Sequence, residues 1–235
     1  MWWQAAAKPL SFINVIIMQP IIFYCYDAYC GWCYGFSPVM KEIAAEYRGK
    51  FSFEVLSGGM IIGDPPKPIS VTAGYIQQAY KTVEAHTGIR FGSDYLWHIN
   101  NPDKSDWYPD SEKPAIAMCI FKELYPDDQV AFAADLQYAL HYEGRDLCDD
   151  EAYRHLLEKY AVDAADFYRK LHSTEYKQLA LYEFSLVKQL KVTGFPAVLI
   201  QVSATKYYLI SSGYTDYAVL KERIENVLKE AGISL

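Results

Sequence analysis

The chain has 235 residues, of which 51% are hydrophobic and 22% are charged, and its net charge is −7. This composition supports a sizeable core in one large or two small domains and excludes a globally disordered chain. The acidic balance, without a stripe rich in lysine and arginine, argues against a nucleic-acid partner. No stretch approaches the roughly 18 consecutive apolar residues of a membrane span, so we expect no membrane partner either.

The first 19 residues receive no predicted element and are treated as an N-terminal extension. Their apolar run, residues 12–17, is shorter than that of a secretory signal peptide, and no small-residue cleavage site follows it. Met18 is a possible alternative start. Three cysteines outside the motif described below fit a reducing compartment, where lone thiols stay free. We therefore expect a cytoplasmic protein.

A pair of cysteines follows the first predicted strand. The apolar run at residues 21–26 predicts a buried strand, and residues 34–47 carry apolar side chains at helical spacing. Between them lies Cys30-Gly31-Trp32-Cys33. Thiols at this spacing can close a small disulfide ring at the first turn of a helix, whose positive end favours a thiolate on the first cysteine. Because a thiolate is the nucleophile of disulfide exchange, the motif indicates redox chemistry.

The motif alone leaves a zinc site or two unrelated buried cysteines open. A structural zinc site usually takes four Cys or His ligands in two paired clusters. The remaining cysteines form no second C-x-x-C, and the five histidines form no H-x3–5-H pair. The spacing therefore favours a redox pair, and we expect no metal. The other cysteines are predicted to be inert: Cys25 as a small strand hydrophobe, Cys119 as a packed helix residue, and Cys148 because nearby Asp149 and Asp150 oppose its thiolate.

Two further residues flank the motif. Asp27 ends the strand three residues before Cys30, where its carboxylate could relay a proton for the thiols or bond the loop backbone as an Asx-type turn. The sequence weighs these two roles evenly. Pro38 lies five residues after Cys33 and removes one helical hydrogen bond, which predicts a kink.

The remaining pattern predicts strands at both ends of the chain and helices between them. An alternating segment, 51–56, predicts the second strand, and strands return at 197–200 and 206–210 before a closing helix at 216–231. We predict helices at 74–86, 111–124 and 129–142, irregular aromatic chain at 91–109, and three more helices beginning at Asp149 or Asp150, at Asp163, and at Ser173 or Thr174.

Neither end of the chain has enough strands for a sheet of its own, so the two ends are expected to form one sheet. We therefore predict an α/β domain made of residues 20–72 and 191–235, interrupted by an all-helical insertion at 73–190.

Two anchors about 165 residues apart carry a family resemblance. Together, Cys30-Gly31-Trp32-Cys33 and Val192-Thr193-Gly194-Phe195-Pro196-Ala197 resemble the thioredoxin superfamily, and the helical block between them resembles the DsbA family. The positions of Asp27 and Pro38 are also familiar there, and Gly144-Arg145-Asp146 resembles the cytosolic, FrnE-like branch. The resemblance covers about residues 20–232. It implies a thioredoxin-like fold, βαβ…ββα, with a helical insertion, and thiol–disulfide oxidoreductase activity of the reductase or isomerase type.

The resemblance also implies roles for individual residues. Pro196 would be a cis-proline facing the cysteine pair, beside backbone that an extended peptide can join. Cys30 would attack a substrate disulfide, Cys33 would resolve the mixed disulfide, and Asp27 would assist Cys33. The expected partners are protein or small-molecule thiols and disulfides. No cofactor is expected beyond the redox-active disulfide, with glutathione as a possible co-substrate.

The sequence departs from the family pattern in two places. Gly31-Trp32 replaces the proline-containing dipeptide common between the cysteines, which bears on the redox potential. Phe195 stands where threonine or valine is more usual, which bears on substrate preference, and its ring is a candidate to pack against Trp32. Three aromatic residues are candidates for a substrate groove, with core packing as the alternative: Tyr29, Trp97 and Trp107.

Two other function classes remain open. Glutathione-linked isomerases and transferases share the fold but carry serine in place of the first cysteine, so Cys30 argues against them. The second class is a redox-switched, chaperone-like module that binds apolar peptides. The oligomeric state is not readable from the sequence.

Overall fold

The computed structural model describes residues 19–233, and all but the last residue of the predicted N-terminal extension lies outside that range. Strands occupy Ile21–Tyr26 (β1), Ser52–Ser57 (β2), Ala197–Ser203 (β3) and Lys206–Ser212 (β4). Helices occupy Gly31–Glu46 (α1), Ser70–Thr87 (α2), Ser93–Asn100 (α3), Glu112–Leu124 (α4), Gln129–His141 (α5), Arg154–Lys159 (α6), Ala164–Leu171 (α7), Thr174–Gln189 (α8) and Tyr217–Ala231 (α9).

The four strands form one sheet in the order β2-β1-β3-β4. β1 runs parallel to β2 and antiparallel to β3, and β3 and β4 form an antiparallel hairpin. Strands from both ends of the chain therefore share one sheet, and the expected βαβ…ββα arrangement is confirmed. The helices between β2 and β3 lie in the interval 73–190 that the sequence assigned to an insertion, except that α2 begins at Ser70, and the exact domain limits stay a prediction.

Alternation along β1 separates two cores. Ile22, Tyr24 and Tyr26 belong to the large core that includes the inner face of α1, whereas Cys25 packs with Val187 of α8 on the other side of the sheet. The large core continues without a break into α4 and α5, so the helical block and the sheet are stabilised by the same buried apolar surface. None of the helices within residues 19–233 is long and apolar enough to cross a membrane.

Helix α1 continues through Pro38, which lies on its exposed side. Proline lacks the N–H that would bond to the carbonyl oxygen of Tyr34, four residues earlier. The hydroxyl of Ser37 donates to that oxygen instead, at 2.8 Å. This local replacement explains how the helix tolerates proline one turn after the cysteine pair.

The expectation of irregular chain at 91–109 is wrong, because α3 forms within it. Tyr95 and Ile99 of this helix are buried and lie four residues apart, as on one helical face. Trp97 lies between them and is exposed, so the sequence does not show a clear helical pattern of apolar residues. Helix α2 also begins four residues earlier than predicted, at Ser70. Predicted caps are confirmed where a side chain accepts from the helix backbone, namely at Asp149, Asp163 and Ser173.

Side chains from the helices cover the free edge of β2. Gln129 accepts from the backbone N–H of Val55 at 2.9 Å and donates to the carbonyl of Phe53 at 3.0 Å. Glu183 accepts from the N–H of Ser57 at 2.9 Å, and Lys122 donates to the carbonyl of Val55 at 2.7 Å. An edge strand with satisfied backbone groups cannot recruit another strand, so these contacts protect the sheet.

The pair formed by Lys122 and Glu183 is largely buried, with 13% and 9% of the side chains exposed. Lys122→Met should lower the free energy of unfolding by about 3 kcal/mol, because it leaves the Glu183 carboxylate buried without its cation. The more exposed pair of Lys177 and Glu112 supplies a control, since Lys177→Met should cost less than about 1 kcal/mol. Urea unfolding at neutral pH measures both variants, and equal costs would contradict this account.

Candidate active site

The first cysteine of the pair lies at the N-terminus of α1. Cys30 is the N-cap residue, with extended backbone, and its Sγ accepts a hydrogen bond from the N–H of Cys33 at 3.3 Å. The N–H of Cys30 in turn donates to the carbonyl of Asp27 at 3.1 Å, which closes the loop between β1 and α1. The sulfur of Cys30 therefore sits where the free N–H groups and the dipole of the helix favour negative charge.

The two thiols differ in access. Cys30 is 6% exposed and Cys33 is fully buried, and neither is in a disulfide in this structure. Burial raises the pKa of Cys33 well above its ordinary value, and the neighbouring Cys30 thiol and the Asp27 charge raise it further. Cys30 is therefore the more exposed of the two cysteines, and Cys33 is the fully buried one. No group of three or more His, Cys, Asp or Glu side chains within residues 19–233 is arranged to hold a metal ion.

The second anchor, residues 192–197, lies beside the cysteine pair at residues 30–33. The peptide bond between Phe195 and Pro196 is cis, as the resemblance implied. The Sγ of Cys30 donates to the carbonyl oxygen of Phe195 across 3.6 Å, and the carbonyl of Pro196 accepts from the N–H of Gly213 at 2.8 Å. The backbone before the proline thus faces the Cys30 sulfur directly.

Asp27 joins three parts of the chain. One carboxylate oxygen accepts from the N–H of Tyr29 and from the hydroxyl of Ser111, each at 3.0 Å, and the other accepts from the N–H of Met60 at 2.7 Å. The bond to Tyr29 confirms the Asx-type turn. Burial raises the pKa of Asp27, and these donors oppose part of that rise. The proton-relay role stays a prediction.

Comparison with known proteins identifies the family to which this chain belongs. Residues 21–225 match the model of the DSBA-like thioredoxin domain family. The chain belongs to this family. The match covers both anchors and the helical block between them, so the thioredoxin-like α/β fold is confirmed. Family membership together with the paired thiols identifies the chain as a thiol–disulfide oxidoreductase.

Solved structures show the same fold. A candidate protein disulfide isomerase from Nitrosomonas europaea is 25% identical, with a TM-score of 0.79 over 91% of this chain and 99% of that chain. The cytosolic disulfide reductase DsbM from Pseudomonas aeruginosa is 22% identical, with a TM-score of 0.72 over 89% and 99%. The structure of DsbM with GSH, also 22% identical, gives 0.70 over the same shares. A comparison with curated protein sequences gave no significant match.

The aromatic residues of this DSBA-like protein contact partners that the sequence did not indicate. The sequence analysis named Trp32 as the candidate partner for the Phe195 ring, and this prediction is wrong. That ring lies against Gly58, where an added Cβ would be 2.0 Å from Phe195 Cζ. Trp32 instead meets His86 and Tyr214, with ring centroids 5.8 and 6.4 Å apart.

The three groove candidates have different environments. Trp107 is 4% exposed and stacks on His98 with centroids 3.9 Å apart, so core packing is the correct alternative for this residue. Tyr29 is half-buried, and its hydroxyl contacts the Sγ of Cys148 at 3.3 Å. Trp97 is 47% exposed, so it keeps a face that a ligand can reach. The groove role of Tyr29 and Trp97 stays a prediction.

Sequence reasoning missed two buried polar residues that hold the site of this DSBA-like protein. The amide of Gln137, on α5, donates to the carbonyl of Cys33 at 3.3 Å and accepts from the N–H of Tyr34 at 3.2 Å in the orientation that satisfies both ends. Ser111 bridges Asp27 and the N–H of Ile61, the latter at 3.0 Å. A glutamine on the apolar face of α5 was the available signal for Gln137.

Burial raises the pKa of each of the other three cysteines of the DSBA-like protein, and their predicted inertness stays a prediction. Burial raises the pKa of Cys25 to about 12, and burial also raises that of Cys119, beside Glu183. Cys148 is half-buried, and its pKa is raised first by burial and then by the charge of Asp146 rather than by Asp149 and Asp150, the two residues that the sequence indicated.

Alkylation should distinguish the thiols. We expect iodoacetamide to label Cys30 of the reduced, folded protein first at neutral pH, because Cys33 is fully buried and its pKa is raised. Peptide mass spectrometry over a time course locates the adducts. Cys33→Ser should keep the fast labelling and Cys30→Ser should lose it; labelling of Cys33 at the rate of Cys30 would contradict this geometry.

The contact between Gly58 and Phe195 yields a second prediction. Gly58→Ala should displace the Phe195 ring, costing about 1–3 kcal/mol in the free energy of unfolding and most of the disulfide-exchange activity. Activity is lost because Phe195 carries the carbonyl that faces Cys30. Phe195→Val shortens the clashing side chain, so the double variant should recover both properties. Urea unfolding and a disulfide-reduction assay test this, and an unperturbed Gly58→Ala variant would refute it.

Proposed function

We propose that this protein is a cytoplasmic disulfide reductase or isomerase that works through a mixed disulfide on Cys30. One observation carries the proposal: the Cys30 sulfur caps α1 and lies 3.6 Å from the carbonyl oxygen of Phe195, next to the cis-proline Pro196. The sulfur of Cys30, a residue that is 6% exposed, and the backbone carbonyl of Phe195 thus meet at one point. This combination suits an extended polypeptide that carries a disulfide.

The first step is attack by the Cys30 thiolate on a substrate disulfide. A sulfur–sulfur bond forms between Cys30 and the nearer substrate sulfur, and the farther substrate sulfur leaves with the electron pair of the broken bond. Once Cys30 has lost its proton it no longer donates to the carbonyl of Phe195. That carbonyl can then accept an N–H of the substrate, which aligns the polypeptide along the backbone before Pro196.

The second step is resolution by Cys33. Its thiol loses a proton, its sulfur attacks the Cys30 sulfur, and the substrate leaves as a thiolate that takes up a proton. The dithiol has then given two electrons to the substrate disulfide. We assign Asp27 the role of an anchor in this step, because the hydrogen bonds from Tyr29, Met60 and Ser111 already hold both of its oxygens.

Glutathione is the proposed electron donor. Two molecules reduce the Cys30–Cys33 disulfide by consecutive exchange and leave as oxidised glutathione, so the electrons balance. The structure of DsbM, a cytosolic reductase, with GSH supports this choice.

Equilibration with glutathione buffers tests the function. We expect Cys30 and Cys33 to form an intramolecular disulfide, with a potential nearer to the roughly −270 mV of thioredoxin than to the roughly −120 mV of DsbA. Acid trapping, alkylation and mass measurement give the oxidised fraction. A pair that forms no disulfide in any buffer would refute the proposal, and a potential near that of DsbA would refute its reductive direction.

Single-cysteine variants supply the matched controls. Cys30→Ser should lose reduction of a protein disulfide, and Cys33→Ser should accumulate the mixed disulfide on Cys30. Suppression of the aggregation of unfolded proteins is measured for the same variants. If the parent suppresses aggregation and Cys30→Ser does so equally well, the chaperone-like function replaces the proposed one.

A further inference from the structure

Ser111 lies at the junction between the helical block and the redox site. It precedes α4, yet its hydroxyl does not cap that helix, which is the usual role of serine at this position. The side chain is 2% exposed, donates to a carboxylate oxygen of Asp27 at 3.0 Å and accepts from the N–H of Ile61 at 3.0 Å. The hydroxyl is therefore directed at the site rather than at its own helix.

The direction of each hydrogen bond follows from the atoms involved. The N–H of Ile61 can only donate, so the Ser111 oxygen accepts there, and the single hydrogen of the hydroxyl points to Asp27. The N–H groups of Tyr29 and Met60 also donate to Asp27, at 3.0 and 2.7 Å. All three partners of the carboxyl group are donors. This arrangement suits the ionised form, because a carboxylate only accepts.

The Asp27 side chain has to hold its charge without a cation. Asp27 is 1% exposed, and no salt bridge within residues 19–233 includes it. Burial raises its pKa, whereas the donors from Met60, Tyr29 and Ser111 oppose that rise. A buried carboxylate stays ionised only where enough donors face it. Among these three donors, Ser111 is the one that belongs to a side chain, so a substitution can remove it.

The titratable groups that face Asp27 are thiol and phenol groups. They belong to Cys33 on α1 and Tyr26 on β1, and burial raises the pKa of each, so both are neutral at neutral pH. Helices α4 and α5 contribute Ser111 and Gln137, which do not titrate; the Gln137 amide lies 3.3 Å from the Asp27 carbonyl. For Cys33, the Asp27 charge adds to the effect of burial, so it opposes the ionisation that the second exchange step requires.

We propose that Ser111 is a positioning residue of the redox site, whose hydroxyl keeps Asp27 ionised at the pH at which the thiols react. What the inference assigns to Cys33 rests on the proposed function, and what it assigns to Asp27 rests on the hydrogen bonds. The helical block thus fixes, through one hydroxyl, a charge in the loop whose backbone also holds the N–H of Cys30. That charge slows the attack of Cys33 and so lengthens the life of the mixed disulfide.

The first test measures the ionisation of Asp27 in the reduced full chain. Aspartate labelled with ¹³C at the side-chain carboxyl is followed by NMR as the pH is varied, and the signal of Asp27 is the one that Asp27→Asn lacks. We expect Asp27 of the parent to titrate below pH 7. Ser111→Ala should raise that pKa by about one to two pH units, the change expected when a charged group loses one hydrogen bond.

Two variants serve as controls. Ser111→Thr keeps a hydroxyl at this position and should keep the Asp27 pKa of the parent. Ser211→Ala removes a hydroxyl that is equally buried, at 2%, but that contacts Gly213 and Thr215, so it should leave the Asp27 pKa unchanged. An Asp27 that titrates above pH 7 in the parent overturns the inference, even if Ser111→Ala does not fold.

The second test follows the thiols in the full chain carrying Cys148→Ser, because Cys148 is half-buried and could react with the probe. The probe is Ellman's reagent, a symmetric aromatic disulfide that takes two electrons from the dithiol. Attack by Cys30 releases a first thionitrobenzoate, and attack by Cys33 on the resulting mixed disulfide releases a second. Stopped flow therefore records attack and resolution as two phases.

We expect Ser111→Ala to speed the second phase about threefold at pH values between the two Asp27 pKa values. A fall of one unit in the pKa of the attacking thiol changes its rate by about that factor, because nucleophilicity falls along with the pKa. Above that range Asp27 is ionised in both proteins, and the rates should converge. In Asp27→Asn, whose side chain carries no charge, Ser111→Ala should change the second phase by less than about twofold.

The outcomes separate the inference from the proposed function. The inference is overturned if Ser111→Ala leaves the Asp27 pKa unchanged, slows the second phase, or has an equal effect in the Asp27→Asn background; the proposed function then still stands. If the parent releases no second thionitrobenzoate, the proposed function fails, and the NMR titration still decides what Ser111 does to Asp27.

Discussion

The antiparallel pairing of β1 with β3 is the interaction on which this structure depends. It aligns Cys25 with Ala197, so Pro196 comes beside the end of β1 and the start of the loop that leads to Cys30. Backbone hydrogen bonds along a ladder set register to a single residue, and a slip by one would turn every side chain to the other face. Two segments about 165 residues apart in sequence therefore meet with the accuracy that a reaction between sulfur atoms requires.

A buried carboxylate then joins the helical block to this junction. Asp27 takes hydrogen bonds from its own loop, from the chain after β2 and from Ser111 at the start of α4. Burying a charge is costly unless donors surround it, and three donors do so here. The same arrangement imposes a chemical condition on the site. The Asp27 charge raises the pKa of Cys33 and so opposes its ionisation.

The helical block also covers the edge of the sheet that β2 forms. Lys122, Gln129 and Glu183 satisfy backbone groups of β2, which would otherwise present an open edge. One set of helices thus closes the sheet edge and shapes the redox site, which explains why the core runs through both without a boundary. Stability of the sheet and geometry of the site are linked through these contacts.

The sequence by itself determined the strands and most helices, because periodicity and spacing can be read along the chain, and its resemblance to a family implied the cis bond before Pro196 that the structure has. It did not reveal that Phe195 packs on Gly58, that Gln137 contacts the first turn of α1, or that Ser111 donates a hydrogen bond to Asp27. Those relations were decided only by the tertiary structure. Each joins residues far apart in sequence, and the direction and partner of a buried side chain depend on what the fold brings against it.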